Sequence, residues 1–181
     1  MVYVLLATGF EEIEALAFVD ILRRAGIDTK TVATDNKPTV TGSHGIEVVA
    51  DVKLIDIDKS AVEAVVLPGG LPGAYNLRDN RDVKQLLDYA HQNNITIGAI
   101  CASPCVVLYN FGYLDGVNAT VNPGFETEMT NANMLDQRVV CDGSIITSQG
   151  PGTTHEFAKA FVSKFKGEQA ADKLITEMLY K

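Results

Sequence analysis

The stretch whose reading decides the fold is "ITIGAICASPC", residues 95–105. An apolar, isoleucine-rich run of strand length stops on a cysteine, and a Ser-Pro pair follows at once. β-Branched residues at 95–100 favour a buried strand. Ser103 and Pro104 mark the start of a helix, because a hydroxyl caps free N–H groups and proline suits the first helical position. A strand that runs directly into a helix is half of a β-α-β unit.

The flanking sequence keeps this alternation. "VYVLLA" (2–7) leads into "EEIEALAFVDILRRAG" (11–26), where Ile13, Leu16, Ala17, Ile21 and Leu22 recur at helical spacing and Gly26 supplies a stop. Strands are expected at 29–33 and at 64–70, the second ending in a glycine pair. A hairpin is expected within 40–54. Helices follow at 81–93, with Val83, Leu86, Leu87 and Ala90 inward, and at 103–112. "RVVCDGSIITS" (138–148) carries the hairpin signal Asp142-Gly143. A helix over 153–167 opens with Thr153 and Glu156 at capping-box spacing, and a last helix spans 168–180. Continuous apolar strands between amphipathic helices predict an α/β fold, a mostly parallel sheet with helices on both faces, in one domain over 1–181.

Composition limits the partners. A net charge of -8 repels phosphates, which argues against nucleic acid and anionic membrane surfaces. The first apolar run is about six residues long before two glutamates, too short for a signal peptide or a membrane span. Three cysteines without a C-x-x-C pair do not make a disulfide framework or a zinc site. The expected location is the cytoplasm.

Ligands of parallel sheets bind beyond the C-terminal strand ends. Cys101 occupies such an end, just before a helix N-terminus whose dipole favours a thiolate. Position alone leaves packing and chemistry both open, whereas Cys105 and Cys141 read as packing. Glu11, Glu12 and Glu14 open the first helix. Glu11 and Glu14 share a face, and an acidic residue there also complements the helix terminus. A carboxylate turned into the cleft would have its pKa raised by burial and by a neighbouring thiolate. "LPGG" (67–70) offers backbone N–H groups to an oxyanion, and no phosphate-binding glycine motif is present.

Taken together, "GFEEIEA", "VVLPGG", "AICASP" and "TSQGPGTTHEFA" resemble, in order and spacing, the ThiJ/PfpI family, closest to its parkinsonism-associated subfamily and bacterial glyoxalase- and deglycase-like relatives. The likeness covers nearly the whole chain. It implies a flavodoxin-like sandwich, usually a homodimer, with a nucleophile elbow at the cysteine. By this resemblance Cys101 is the nucleophile and Glu14 its carboxyl partner. Gly70 and Ala102 match backbone oxyanion donors with Gly69 beside them, and Arg24 lies near the dimer contact. No metal or other cofactor is implied.

Three positions depart from the family pattern. Ala102 stands where the protease branch has histidine, which disfavours a cysteine peptidase. Ser103 replaces a frequent glycine at the pocket floor. Asn122 occupies the place of a histidine near the cysteine; it can hydrogen-bond a substrate but cannot shuttle protons. His44 aligns with an arginine that reaches a partner subunit's pocket. His155 and Glu156 are similar to the pair of class I amidotransferases, but Glu156 is better explained as a capping residue. The expected activity is cofactor-independent conversion of α-oxoaldehydes such as methylglyoxal, or removal of early glycation adducts from amines. The alternative is a redox sensor or chaperone in which Cys101 is oxidised to sulfinic acid. A homodimer through the first helix is expected, with Phe18 and Val19 partly on its outer face.

Overall fold

The computed structural model describes residues 1–35 and 37–180. Its strands are β1 (Val2–Leu6), β2 (Thr29–Ala33), β3 (Thr39–Thr41), β4 (Glu47–Val49), β5 (Val52–Lys53), β6 (Ala64–Leu67), β7 (Thr96–Ile100), β8 (Asn118–Ala119), β9 (Asn133–Met134), β10 (Val139–Asp142) and β11 (Ile145–Ser148). Its α-helices are α1 (Glu12–Arg24), α2 (Gly73–Asp79), α3 (Arg81–Gln92), α4 (Thr154–Lys166) and α5 (Glu168–Glu177).

Seven strands form the central sheet in the order β10-β11-β7-β6-β1-β2-β5. Every pairing is parallel except the β10–β11 hairpin at one edge. That hairpin turns through Gly143 and Ser144, with Gly143 at φ +59° in the left-handed region that glycine enters at no steric cost. The β3–β4 hairpin stands apart from the sheet. Alternate strand residues serve two cores. Leu5, Val65, Leu67, Ile97 and Ala99 pack with Leu77 of α2 and Leu86 and Leu87 of α3. Val4, Leu6, Val66, Ile100 and Ile146 pack with Phe18 of α1 and Phe157 and Phe161 of α4. The result is the doubly wound α/β fold that continuous apolar strands require. Among the described residues, no helix is long and apolar enough to cross a membrane.

Three local expectations are corrected. Phe18 and Val19 belong to the core, at 0% and 6% exposure, because α1 packs on α4 as well as on the sheet. The Phe18 ring lies 5.2 Å from Phe157 and 5.0 Å from Phe161. The outer face of α1 instead carries Ile13, with Leu16 and Ala17 half-buried beside it. The segment after Cys101 is a π-helix over Pro104–Tyr109, and Ser103 does not cap it with its side chain. Thr153 makes no side-chain cap on α4, and Glu156 pairs with Arg138 at 2.8 Å rather than closing a capping box.

Candidate active site

Cys101 follows β7 with φ +64°, a left-handed conformation that costs a non-glycine residue roughly 1–2 kcal/mol. Backbone bonds on both sides hold it there. Its N–H donates to the Ser148 carbonyl at 3.0 Å, and its own carbonyl accepts from the Asn122 N–H at 3.0 Å. Ser148 is itself fixed, its Oγ donating to the Arg138 carbonyl at 2.9 Å and lying 2.6 Å from Thr153 Oγ1. The sharp turn leaves the thiol half-buried, at the C-terminal edge of the sheet.

The first turn of α1 brings Glu14 to the same place. Glu11 caps the helix by accepting from the Glu14 N–H at 2.8 Å, which leaves the Glu14 side chain free to turn inward. Glu14 is 1% exposed. Its Oε2 accepts from the Gly69 N–H at 2.6 Å, while Oε1 is buried with no hydrogen-bond partner among the described residues. Gly69 fills the gap between acid and thiol. A Cβ on it would lie 2.5 Å from Cys101 Cβ, 2.8 Å from Glu14 Oε2 and 3.1 Å from the sulfur. The backbone amides of Ala102 and Gly70 lie close enough to the sulfur to favour its ionised form.

Burial dominates the electrostatics. It pushes Glu14 up to about 7, with the negative charge of Glu11 adding to the shift and the Gly69 amide opposing it. Burial and then the adjacent Glu14 charge push the Cys101 thiol up to about 12, against the amides of Ala102 and Gly70. The lowering expected from a helix N-terminus is therefore outweighed. Two anions in one dry pocket repel, so the pair keeps a proton between them, on sulfur or on carboxyl.

The remaining residues singled out in the sequence have different surroundings. Ser103 is fully buried and donates to the Pro68 carbonyl at 2.6 Å. Asn122 Nδ2 donates to the Gln149 carbonyl at 3.0 Å. His44 is exposed, its Nδ1 2.8 Å from Glu12 Oε2, and that hydrogen bond and charge raise its pKa. Glu11, Glu12 and His44 place possible ligand atoms within 4.8 Å of one another. The Glu12 oxygens, however, already accept from Ser43 Oγ and from the His44 and Ile46 N–H groups, so the cluster clamps the β3–β4 turn onto α1. Against their burial, these bonds, the one from the His44 ring foremost, hold Glu12 at about 2.

His155 packs at a tilt against Tyr180 and lines, with Glu156, Arg138 and Lys159, a separate cavity of about 290 Å³. Arg24 is spent on Asp20 at 2.6 Å. Cys105 is core, as expected, but Cys141 is exposed on the edge strand β10, so packing does not account for it. Sequence reasoning missed the part played by Pro68 and the Ser148–Thr153 contact. Pro68 acts through its backbone carbonyl, which carries no residue signature, and the Ser148–Thr153 contact joins two hydroxyls within the quoted "TSQGPGT" run, which marked the segment without revealing its role.

The chain matches the family model described as DJ-1/PfpI family over residues 1–164. It is 40% identical over 164 residues to protein DJ-1 homolog B of Arabidopsis thaliana, covering 91% of this chain and 37% of that protein. The chain spans less than half the length of this relative and of the Arabidopsis homolog A, of which it covers 45%. It is 32% identical over 167 residues to the Caenorhabditis elegans protein named glutathione-independent glyoxalase DJR-1.2, covering 91% of this chain and 88% of that one. The solved structure of oxidised Toxoplasma gondii DJ-1 superposes with a TM-score of 0.94 at 32% identity, over 99% of this chain and 97% of that chain.

Proposed function

The chain belongs to the DJ-1/PfpI family, and from that premise we propose that it is a cytoplasmic, cofactor-independent glyoxalase that converts α-oxoaldehydes to 2-hydroxy acids. The observation that carries this reading is the buried Glu14 beside the Cys101 thiol, with one carboxyl oxygen unpaired. The name of the nematode relative supports it.

Cys101 sulfur attacks the aldehyde carbon of methylglyoxal while Glu14 takes the thiol proton. The amides of Gly70 and Ala102 stabilise the oxyanion, which is then protonated to a hemithioacetal. Glu14 removes the hydrogen from the former aldehyde carbon and returns a proton to the neighbouring carbon through an enediol. This internal redox shift leaves a thioester of lactate. Water hydrolyses it, releasing lactate and restoring the thiol, so the sum is methylglyoxal plus water giving lactic acid. Early adducts of the same aldehyde with amines present the same two carbons and are a second substrate form.

The apolar strip of Ile13, Leu16 and Ala17 on the outer face of α1 supports a homodimer through this helix. In this reading His44 and Asn122 are further residues offered to the substrate. The reading is tested by following lactate from methylglyoxal without glutathione. Wild type should form it and Cys101→Ser should not; lactate formation undiminished in Cys101→Ser would sink the proposal.

A second reading has its own support. The half-buried thiol faces two backbone donors able to hold the oxygens of a sulfinate, and a close structural relative was solved in oxidised form. In that reading Cys101 senses peroxide.

A further inference from the structure

The two amides that favour the sulfur anion come from two separate loops. Gly70 follows β6, and Ala102 follows β7. These strands stay in register up to Leu67 and Ala99, and beyond that point the sheet no longer fixes one loop against the other. Among the described residues, one side-chain hydrogen bond joins the two loops directly. Ser103 Oγ donates to the Pro68 carbonyl at 2.6 Å, from a residue with 0% exposure. Its ends lie one residue before Gly69 and two residues after Cys101.

The bond does no local work for the helix that follows. Ser103 already has helical backbone angles, φ -64° and ψ -32°, and its side chain caps no N–H group. Its whole effect is to tie the turn at Cys101 to the loop that carries Gly69 and Gly70. Gly69 in turn donates to Glu14, and its carbonyl accepts from the Glu11 N–H at 3.0 Å. One hydroxyl thus couples the sulfur, both amides and the acid into a single rigid unit. A buried bond of this kind is shielded from competing water, and its loss leaves the Pro68 carbonyl without that donor.

We propose that Ser103 is a positioning residue of the Cys101 site, holding the Gly70 and Ala102 amides on one oxyanion and Cys101 against Glu14. This rests on the reading of Cys101 as the reacting group. Without the tie, substrate still enters the pocket, but donors and acid no longer converge in the transition state. The loss therefore falls on kcat and leaves KM nearly unchanged.

The test compares Ser103→Ala and Ser103→Thr in the full chain, with two readouts. With methylglyoxal, Ser103→Ala should lose roughly tenfold to a hundredfold in kcat with KM within about twofold, and Ser103→Thr, which keeps the hydroxyl, should recover most of it. With iodoacetamide, the pH midpoint for alkylation of Cys101 should move in Ser103→Ala and return in Ser103→Thr. Wild-type kcat and an unmoved midpoint in folded Ser103→Ala would overturn the proposal, as would equal losses in both variants, which packing alone explains. If Ser103→Ala does not fold, Ser103→Gly is measured in its place under the same criteria. If wild type forms no lactate, the glyoxalase reading fails, and the alkylation midpoint still decides the role of Ser103.

Discussion

Gly69 leaves no room for a side chain beside Cys101 and Glu14: a Cβ on it would lie 2.5 Å from Cys101 Cβ and 2.8 Å from Glu14 Oε2. Neither neighbour is the loose end of a surface chain. Gly69→Ala should therefore force the acid and the thiol apart while the rest of the protein folds. The expected result is a drop in lactate formation of a hundredfold or more, on the order of the loss from removing a general acid–base group, with circular dichroism unchanged. An active Gly69→Ala enzyme would show that the contact between the two groups is dispensable.

Glu14 acts as a base only when ionised, and burial sets its pKa at about 7. In wild type, kcat/KM should rise as pH increases through about 7 and level off above it. Glu14→Gln keeps the shape but takes no proton, so its turnover should fall by roughly a hundredfold or more and lose this ionisation. A pH–rate profile of both proteins checks it; a wild-type profile in the variant would remove Glu14 from the mechanism.

The same shift has a consequence for stability. The folded carboxyl binds its proton up to about 7, while the unfolded one releases it near 4.5. Between these values the native state holds more protons, so raising the pH disfavours it. Glu14 should cost on the order of 3 kcal/mol of stability on going from pH 4 to pH 8. Urea unfolding across this range should show a decline in wild type that is smaller in Glu14→Gln. Parallel curves would mean that the carboxyl is not perturbed.

The two faces of α1 should respond differently. Phe18 is fully buried against Phe157 and Phe161, and Phe18→Ala should destabilise by about 3–5 kcal/mol. Ile13 is 54% exposed, and Ile13→Glu should change the fold's stability by less than about 1 kcal/mol while dissociating the proposed dimer. Sedimentation velocity at micromolar concentration distinguishes them. A wild type that sediments only as monomer would exclude a dimer through α1.

Mild peroxide should give sulfinic acid at Cys101 rather than a Cys101–Cys105 bridge. Cys105 packs in the core beneath α2 and α3, whereas Cys101 borders the core on the α1 and α4 side. Cys141, exposed on β10, should react with iodoacetamide in the native protein while Cys105 stays protected. Peptide mass spectrometry reads all three, and a dominant disulfide would contradict the placement of Cys105.

The sequence by itself determined the layered architecture, because hydrophobic periodicity and turn residues act locally. Each apolar run became a strand whose ends fall at, or within three residues of, the expected ones, and the hairpins formed where glycine allows a reversal. It also drew attention to Cys101 and to the turn carrying Glu11, Glu12 and Glu14, since both stand where a strand gives way to a helix, while the family resemblance singled out Glu14 among the three. Tertiary structure decided what depends on more than one element. Phe18 looked like a surface residue until α4 was laid across α1, and Ile13, whose spacing suggested the core, was left outside. Ser103 followed by proline reads as a helix cap, yet a carbonyl 35 residues away in sequence, at Pro68, captures its hydroxyl. The state of Cys101 followed the same logic. A helix terminus raises or lowers a pKa from one side only, whereas burial and a neighbouring carboxylate act from every side, and only the assembled fold supplies them.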